Sequence, residues 1–549
     1  VRSGIADYSV DLLPHLAAAG AHLRVLGLPG QPVDPEVAER FAVVGAEEAR
    51  PAGGWAAEPR LALYQMGNNR HHQPVEAMAL ERPGVLTLHD LVLHHLVSEE
   101  TLGERNFDAY RRRLVADHGW IGAEAARPRE WGADVEAMLF ALPAHRTLLR
   151  RQRGVLVHNR YAAARIAEED PEVRVAVVPM AIPLPVLPSA EVGRAFRRHH
   201  GVPEGAALLG SFGFQTPIKR TERVVAALAA PPLAGVHLLV VGETLRPAGR
   251  PGIEDLAREL GVADRLHVTG FVPYAEFEAA IAACDLALNL RYPTAGETSA
   301  SLLRVLALGR PAVVSDHAQF AELPAEIAVK VPLAGSGAAG SPSGPGAGDP
   351  EVAALVHRLA ELLAAPERLA AMGRAAREHV RTEHDPAAAA RAIVDACRRW
   401  RAVPPPGDRL APPPPPTSRV REELPGTIEW VGASALAAAW PAGERRRLGF
   451  RLTNAGPARW LAAHRGPGGM ALQVSLVTPD GDLRARDPWL ALPRDLEPGE
   501  SLVVEALVRR PPAPAQLRVA TRVAGLEPPG AFTARPWGGP SAEWELPWP

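Results

Sequence analysis

Up to about residue 400, hydrophobic positions fall into short continuous runs separated by longer amphipathic stretches. The first set comprises HLRVLGL (22–28), LALYQMG (61–67), GVLTLHD (84–90), GVLVHN (154–159) and VRVAVVPM (173–180). Helical patterns lie between several of them, notably at roughly 6–19, 104–118 and 133–151. Apolar runs without alternation, interleaved with helices, predict strands buried on both faces of a parallel sheet. The pattern pauses at the proline-rich AIPLPVLPSA (181–190), a natural hinge. It then restarts with ALLGSFGF (207–214), VHLLVVG (236–242), LHVTGF (266–271), LALNL (286–290) and PAVVSD (311–316). Two such halves predict two doubly wound α/β domains, 1–183 and 184–403, facing each other across a cleft. Helices are expected at 351–363, 366–382 and 386–401, after a low-complexity surface loop at 333–350. The chain opens with VRSGIADYS, which reads as a loop entering a helix, so a strand is expected to precede Val1 and to be missing from this chain.

The texture changes after a proline-rich linker, 404–425. Short alternating strands such as 446–454, 471–479 and 500–510, set apart by NAG, PDG and EPGE turns, predict a β-sandwich over 426–549.

Composition narrows the function classes. A formal net charge of −2 provides no whole-protein drive toward nucleic acid. Two cysteines, Cys284 and Cys397, exclude a disulfide framework and a thiolate zinc site, and they suit a reducing cytoplasm. No apolar run reaches membrane-spanning length, and no secretory signal is visible.

Two segments carry candidate chemistry. After LALNL comes RYPTAGETSASLLRVLALGRPAVVSD (291–316), with Glu297, Thr298 and Ser299 clustered where a helix begins. Free amides and partial positive charge at a helix start suit an anionic or oxygen-rich ligand, and the carboxyl ends of parallel strands are where ligands bind. An ordinary capped α/β connection is the alternative. In SFGFQTPIKRTERVVAAL (211–228), Thr216 is a cap candidate, Pro217 fits a first turn, and Lys219 and Arg220 follow in that turn. Cations there oppose the helix dipole, an arrangement that makes sense around a phosphate; two solvated surface cations are the plainer option.

On the first domain, Ser3-Gly4 precede a helix and His89-Asp90 follow a strand, so both are expected in the cleft. MGNNRHH (66–72) offers Asn68, Asn69 and His72 as hydroxyl-binding groups or as plain turn residues. Histidines 71, 72, 89, 94 and 95 lack the i, i+4 spacing of a helical zinc site. Asp480-Gly481-Asp482 reads as a hairpin turn rather than a metal-binding Asp-x-Asp. The arginine runs 111–113 and 146–153 read as solvated helix faces, with a membrane-surface role as the lesser alternative.

Five motifs in order, SGIADYS (3–9), YQMGNN (64–69), PGVLTLHD (83–90), GFQTPIKR (213–220) and LRYPTAGETSASLLRVLALGRPAVVSD (290–316), resemble glycosyltransferase family 4 over roughly residues 1–400. The resemblance implies the GT-B fold, with the last helices crossing back onto the first domain. It also implies retaining transfer of a sugar from a nucleotide sugar, with no required metal or other cofactor. Carried onto this chain, it implies Gly4 near the donor diphosphate, His89 at the donor sugar, Lys219 on the diphosphate, and Glu297 on sugar hydroxyls beside the amides of Thr298 and Ser299. His89 and Glu297 become the catalytic candidates. Asn68, Asn69 and Asp90 become the acceptor side, the acceptor being a glycan, a lipid-linked sugar or another hydroxyl compound of envelope or polysaccharide synthesis. The family's second helical Glu is replaced by Arg304, and the Arg five residues before its Lys by Phe214, with Arg220 as the candidate substitute. Because of these departures, a degenerate GT-B scaffold that binds sugar nucleotides, glycans or a protein is the second reading, and a GT-B phosphorylase or epimerase the third. LTNAGPARW (452–460) and LEPGES (496–501) resemble immunoglobulin-like accessory modules, which implies docking to a partner or glycan. The expected location is the cytoplasm, with peripheral contact at the inner membrane face as an option.

Overall fold

The computed structural model describes residues 4–28, 32–45, 48, 60–130, 136–244, 252–333, 349–407, 418, 424–431, 440–462, 469–477, 483–486, 490–510, 515–523 and 540–545. Ser3, the Asp480–Asp482 turn and most of the 333–350 loop and 404–425 linker lie outside them. Two compact units emerge: Val1–Glu100 with His145–Asp408, and Thr101–Ala144 with Arg409–Pro549.

The first unit contains two parallel α/β lobes. In its first lobe, strands Leu63–Met66, Val85–Leu88, Gly154–Val157 and Val175–Val177 pair in parallel in that order, and Arg24–Gly27 pairs with Ala42–Gly45 in a separate ribbon. Val85–Leu88 and Gly154–Val157 are buried at every position, which explains why their sequences do not alternate. The second lobe has six parallel strands in the order Ala328–Val331, Ala312–Ser315, Leu286–Asn289, Ala207–Phe212, Val236–Val241, Leu266–Gly270. Chain order reverses between Ala207–Phe212 and Leu286–Asn289, and that crevice is the topological switch point. The returning helix Pro386–Trp400, capped by Asp385 through the Ala388 amide at 2.8 Å, packs on the first helix, Gly4–Ala18. Trp400 fills the space beside Gly154, where a Cβ would lie 2.2 Å from the indole. Two doubly wound lobes joined by this return make the GT-B arrangement.

Several expectations shift locally. The helix expected at 133–151 is broken into Glu136–Ala141 and Arg146–Arg150, because Pro143 intervenes and Ala144 is left-handed at φ 51°. The arginines at 146–153 form no solvated face. Arg150 is buried against Asp170 at 2.7 Å, and Arg153 donates to the Val403 carbonyl at 2.9 Å. Arg111 and Arg112 are exposed, on helix Phe107–His118.

His237 and His267 stack on neighbouring strands of the second lobe, Nδ1 to Nε2 at 3.0 Å, with His200, Asp264, Arg265 and Arg197 around them. Burial first, and mutual repulsion among the imidazoles second, lower both pKa values, so both rings are neutral in the fold. The unfolded chain then binds more protons below its pKa of about 6.5, and stability falls as pH drops through that value. The loss is up to about 1.4 kcal/mol per pH unit for each histidine. Melting curves between pH 7.5 and 5.5 should flatten in His267→Gln; an unchanged slope would assign the effect elsewhere.

In the second unit, helices Phe107–His118 and Trp120–Glu130 turn at Gly119, φ 61°. The β region has one antiparallel sheet of Gly426–Val431, Arg445–Asn454 and Ser501–Arg509, and a second built on Gly469–Val477 and Gln516–Val523. Phe450, Trp460, Leu472 and Val519 share its core. The NAG turn has a structural origin: buried Asn454 donates to the Ala458 and Leu496 carbonyls and accepts from the Gly456 amide. The all-β region expected from the alternating strands is present, as two sheets around a shared core.

Candidate functional site

At the switch point, the chain leaving Leu286–Asn289 crosses the sheet's carboxyl edge and enters helix Ala300–Ala307, capped by Ser299 on the Leu302 amide. Glu297 is fixed on this crossing. Its two carboxylate oxygens accept from Arg291 Nη1 at 2.5 Å and from Thr294 Oγ1 at 2.8 Å. Arg291 also reaches Ser299 Oγ at 3.1 Å, and Ser299 bonds Asn289 at 3.2 Å. From behind, Gln319 donates to the Glu297 carbonyl and to Thr294, both at 2.8 Å.

The neighbouring loop carries Lys219. Gly213, at φ 87°, turns the chain off the strand, and Pro217–Lys219 forms a 3₁₀ turn. The α-helix starts at Thr221, so Lys219 and Arg220 precede it, and Thr216 makes no side-chain cap. Lys219 Nζ folds back onto the Phe212 carbonyl, 3.1 Å from where a Gly213 Cβ would stand, and Ser301 Oγ is 3.6 Å from that point. Burial, then the Arg291 charge, holds the Lys219 ammonium well below its usual pKa, while Glu297 pulls it upward. Lys219, Arg291 and Glu297 thus share one electrostatic field.

Arg220 departs from expectation. Its left-handed backbone, φ 55°, turns the guanidinium onto Glu351, Nε to Oε1 at 2.8 Å, with Tyr292 beneath it. Both side chains are buried, 7% and 1% exposed. The Arg220 guanidinium is thus engaged with Glu351, and Phe214, where the family arginine is missing, is itself exposed. The cation beside Lys219 is Arg291, which lies inside the 290–316 motif but was not among the candidate residues. Its signal was its place directly after a buried strand and six residues before Glu297.

From the first lobe, Asp90 faces this cluster. Its Oδ2 accepts from the Asn68 amide at 3.0 Å. Burial first and the Glu297 charge second push its carboxyl up to about 7, against the pull of the Asn68 amide and Arg291. His89 is enclosed instead of presented: 5% exposed, it meets Gln65 at 2.8 Å and His158 Nε2 at 3.1 Å, with Tyr8 edge-on. His158 Nδ1 bonds the Val178 carbonyl, so its Nε2 accepts from His89 Nδ1–H. A neutral His89, as its strongly lowered pKa demands, then needs the Gln65 amide turned with its NH₂ toward Nε2. Both ring nitrogens are thus engaged within the protein.

The asparagines serve the loops that carry them. Asn68 bonds His95 and the Leu96 amide, and Asn69 caps the turn Arg70–His72 through the His71 amide. His72 is buried on the Gln65 carbonyl. Gly4 opens helix Gly4–Ala18 at an exposed position, with open space for 4 Å around the point where a Cβ would stand. Thr298 Oγ1 accepts from Asn159 of the first lobe at 3.0 Å. Arg304 lies 4.8 Å over the Tyr274 ring; burial raises the pKa of Asp11 on the first helix, and the Arg304 charge opposes that rise. Tyr274 and Phe271 are more than half exposed near the end of strand Leu266–Gly270. Among the described residues, no group of three or more His, Cys, Asp or Glu side chains is arranged to hold a metal ion, and no helix is long and apolar enough to cross a membrane.

Comparison with known proteins bears on the same lobe. Residues 208–332 match the family glycosyl transferases group 1. A D-inositol 3-phosphate glycosyltransferase from Segniliparus rotundus is 32% identical over 214 residues, 38% of this chain; the chain spans 43% of that relative's length. Among solved structures, sucrose-phosphate synthase from Thermosynechococcus elongatus aligns with a TM-score of 0.49 at 18% identity, covering 73% of this chain and 94% of its own. HepE of Anabaena, solved with UDP-glucose, aligns with a TM-score of 0.49 at 15% identity, covering 73% and 97%. In its second lobe the chain is therefore similar to glycosyl transferases group 1, and its two lobes are built as a GT-B fold.

Proposed function

We propose that this chain is a glycosyltransferase that moves a sugar from a nucleotide diphosphate donor to a hydroxyl acceptor, with retention and without a required metal. One observation carries the reading: Lys219, Arg291 and a capped helix start surround Glu297 at the switch point, and Asp90 faces them from the other lobe. The diphosphate lies against Lys219 and the free amides of helix Ala300–Ala307. As the bond from the sugar's anomeric carbon to phosphate oxygen breaks, charge collects on the leaving phosphate, and the two cations stabilise it. Glu297, oriented by Arg291 and Thr294, keeps lone pairs free for hydroxyls of the transferred sugar. The acceptor oxygen bonds the anomeric carbon from the same face, and its proton passes to the departing phosphate oxygen. Asp90 accepts a hydrogen bond from the incoming hydroxyl. Phe271, Tyr274 and Arg304 are the nucleoside side of the crevice.

The test is a screen of UDP-, GDP- and ADP-sugars by thermal shift, followed by nucleotide release with glycan, polyol-phosphate and lipid-linked acceptors and NMR of the product's anomeric configuration. One nucleotide class should raise stability by about 2.7 kcal/mol at a hundredfold excess over its Kd, and it should support turnover. Binding without release for any acceptor favours the scaffold reading, and no binding at all ends the proposal.

A further inference from the structure

The loop that carries Glu297 is held from the opposite lobe, by a residue that has no part in the proposed reaction. Asn159, at the end of strand Gly154–Val157, donates through Nδ2 to the Gly296 carbonyl and to Thr298 Oγ1, each at 3.0 Å. These groups flank Glu297 on either side. The Asn159 Oδ1 is committed within its own lobe, accepting the Ala162 amide at 2.8 Å to cap helix Arg160–Glu169. Three further contacts converge on the same patch. Glu322 of the second lobe accepts the Arg160 amide at 3.1 Å and the Tyr161 amide, two of the free N–H groups of that helix start. The Val92 amide donates to the Ala295 carbonyl at 3.0 Å. Gly296, at φ 74°, lies against Leu91, where a Cβ would stand 2.6 Å from the leucine's own.

We propose that Asn159 is a positioning residue that makes the placement of Glu297 conditional on lobe closure. The amide spans both sides of Glu297 only while the lobes are together. Separating them removes both hydrogen bonds, along with the Leu91 wall against Gly296. Arg291, Thr294 and Gln319 hold Glu297 within its own lobe throughout, and the clamp completes the placement of its loop in the closed arrangement, which couples closure around the donor to assembly of the site. The catalytic part of this inference rests on the proposed function, whereas the clamp itself does not.

Helix capping alone is the competing role, and one substitution separates the two. Asn159→Asp keeps an N-cap acceptor of equal quality but has no N–H to donate, so the Gly296 carbonyl loses its donor whichever way the Thr298 hydroxyl turns. Hydrogen exchange of amides 293–299 should rise at least about tenfold, the signature of one lost clamp of roughly 1.4 kcal/mol. Exchange across 162–169 should stay at the wild-type value, and any fall in melting temperature should not exceed what that one lost clamp accounts for. With a turned-over donor, kcat should fall about a hundredfold, with a smaller change in KM. Asn159→Ala, lacking cap and clamp alike, should raise exchange in both segments. Wild-type protection of 293–299 in Asn159→Asp overturns the clamp, and raised exchange with an unchanged kcat overturns the positioning role. If the wild-type protein turns over no sugar nucleotide, the proposed function fails while the exchange comparison still decides the clamp.

Discussion

Replacing Arg220 with Met should lower the stability of the second lobe by about 3–5 kcal/mol, the range for breaking a buried ion pair from one side. The guanidinium and the Glu351 carboxylate are both buried, and Arg220 Nε bonds Oε1 at 2.8 Å. Without Arg220, Glu351 keeps Arg223 among the described residues, whose Nε stands 3.5 Å away while its Nη2 pairs with Asp349 at 3.3 Å. That residual partner places the loss toward the lower end of the range. Because the chain divides into two compact units, a single unfolding midpoint is a poor gauge, and exchange of amides 221–228 at the adjoining helix is the better one. Adding Glu351→Leu should recover most of the loss, since a pair replaced on both sides leaves no stranded charge. Donor affinity of the folded variant should be unchanged. If Arg220→Met were as stable as wild type and had lost donor binding, the ion pair would be incidental and Arg220 would belong to the ligand.

The contrast between Arg220 and its neighbour shows which parts of the site were legible in the sequence. Buried strands were readable because burial on both faces removes alternation, as in Val85–Leu88 and Leu286–Asn289. The approach of the Lys219 and Glu297 loops was readable too, because both leave carboxyl ends of strands, and ligand crevices form there. What side chains do after a loop turns was not. A left-handed φ at Arg220 separates two adjacent cations, and no periodicity encodes it. His89 had the right place at a strand end, yet Tyr8 and His158 enclose it from segments distant in sequence. Arg291 was overlooked for the converse reason: an arginine after a strand resembles a solvated residue until its bonds to Glu297 and Ser299 are seen. Asn159 was hidden more deeply, since its partners are 137 and 139 residues away.

Lys219→Met should have the opposite signature to Arg220→Met: kcat lower by about 10²–10³, the cost of removing one preorganised group facing developing charge, with stability equal to or above wild type. Lys219 is buried, bonded to the Phe212 carbonyl, and destabilised as an ammonium by burial and by Arg291. Such a group weakens the fold, and an unbranched apolar replacement relieves the desolvation. The same physics sets a pH dependence. With its pKa depressed by burial and by Arg291, Lys219 is drawn back toward the ammonium form when a diphosphate binds beside it. Donor binding therefore takes up protons and strengthens as pH falls through the window between the depressed and restored values. Asp90, near 7, titrates as well and would add its own linkage if the diphosphate shifts it. Calorimetry in buffers of differing ionisation enthalpy measures total uptake, and the difference between wild type and Lys219→Met isolates the lysine's share. Equal uptake in the two proteins would mean that Lys219 keeps one protonation state throughout. A stability loss matching that of Arg220→Met would mean that it holds the loop together rather than the leaving group.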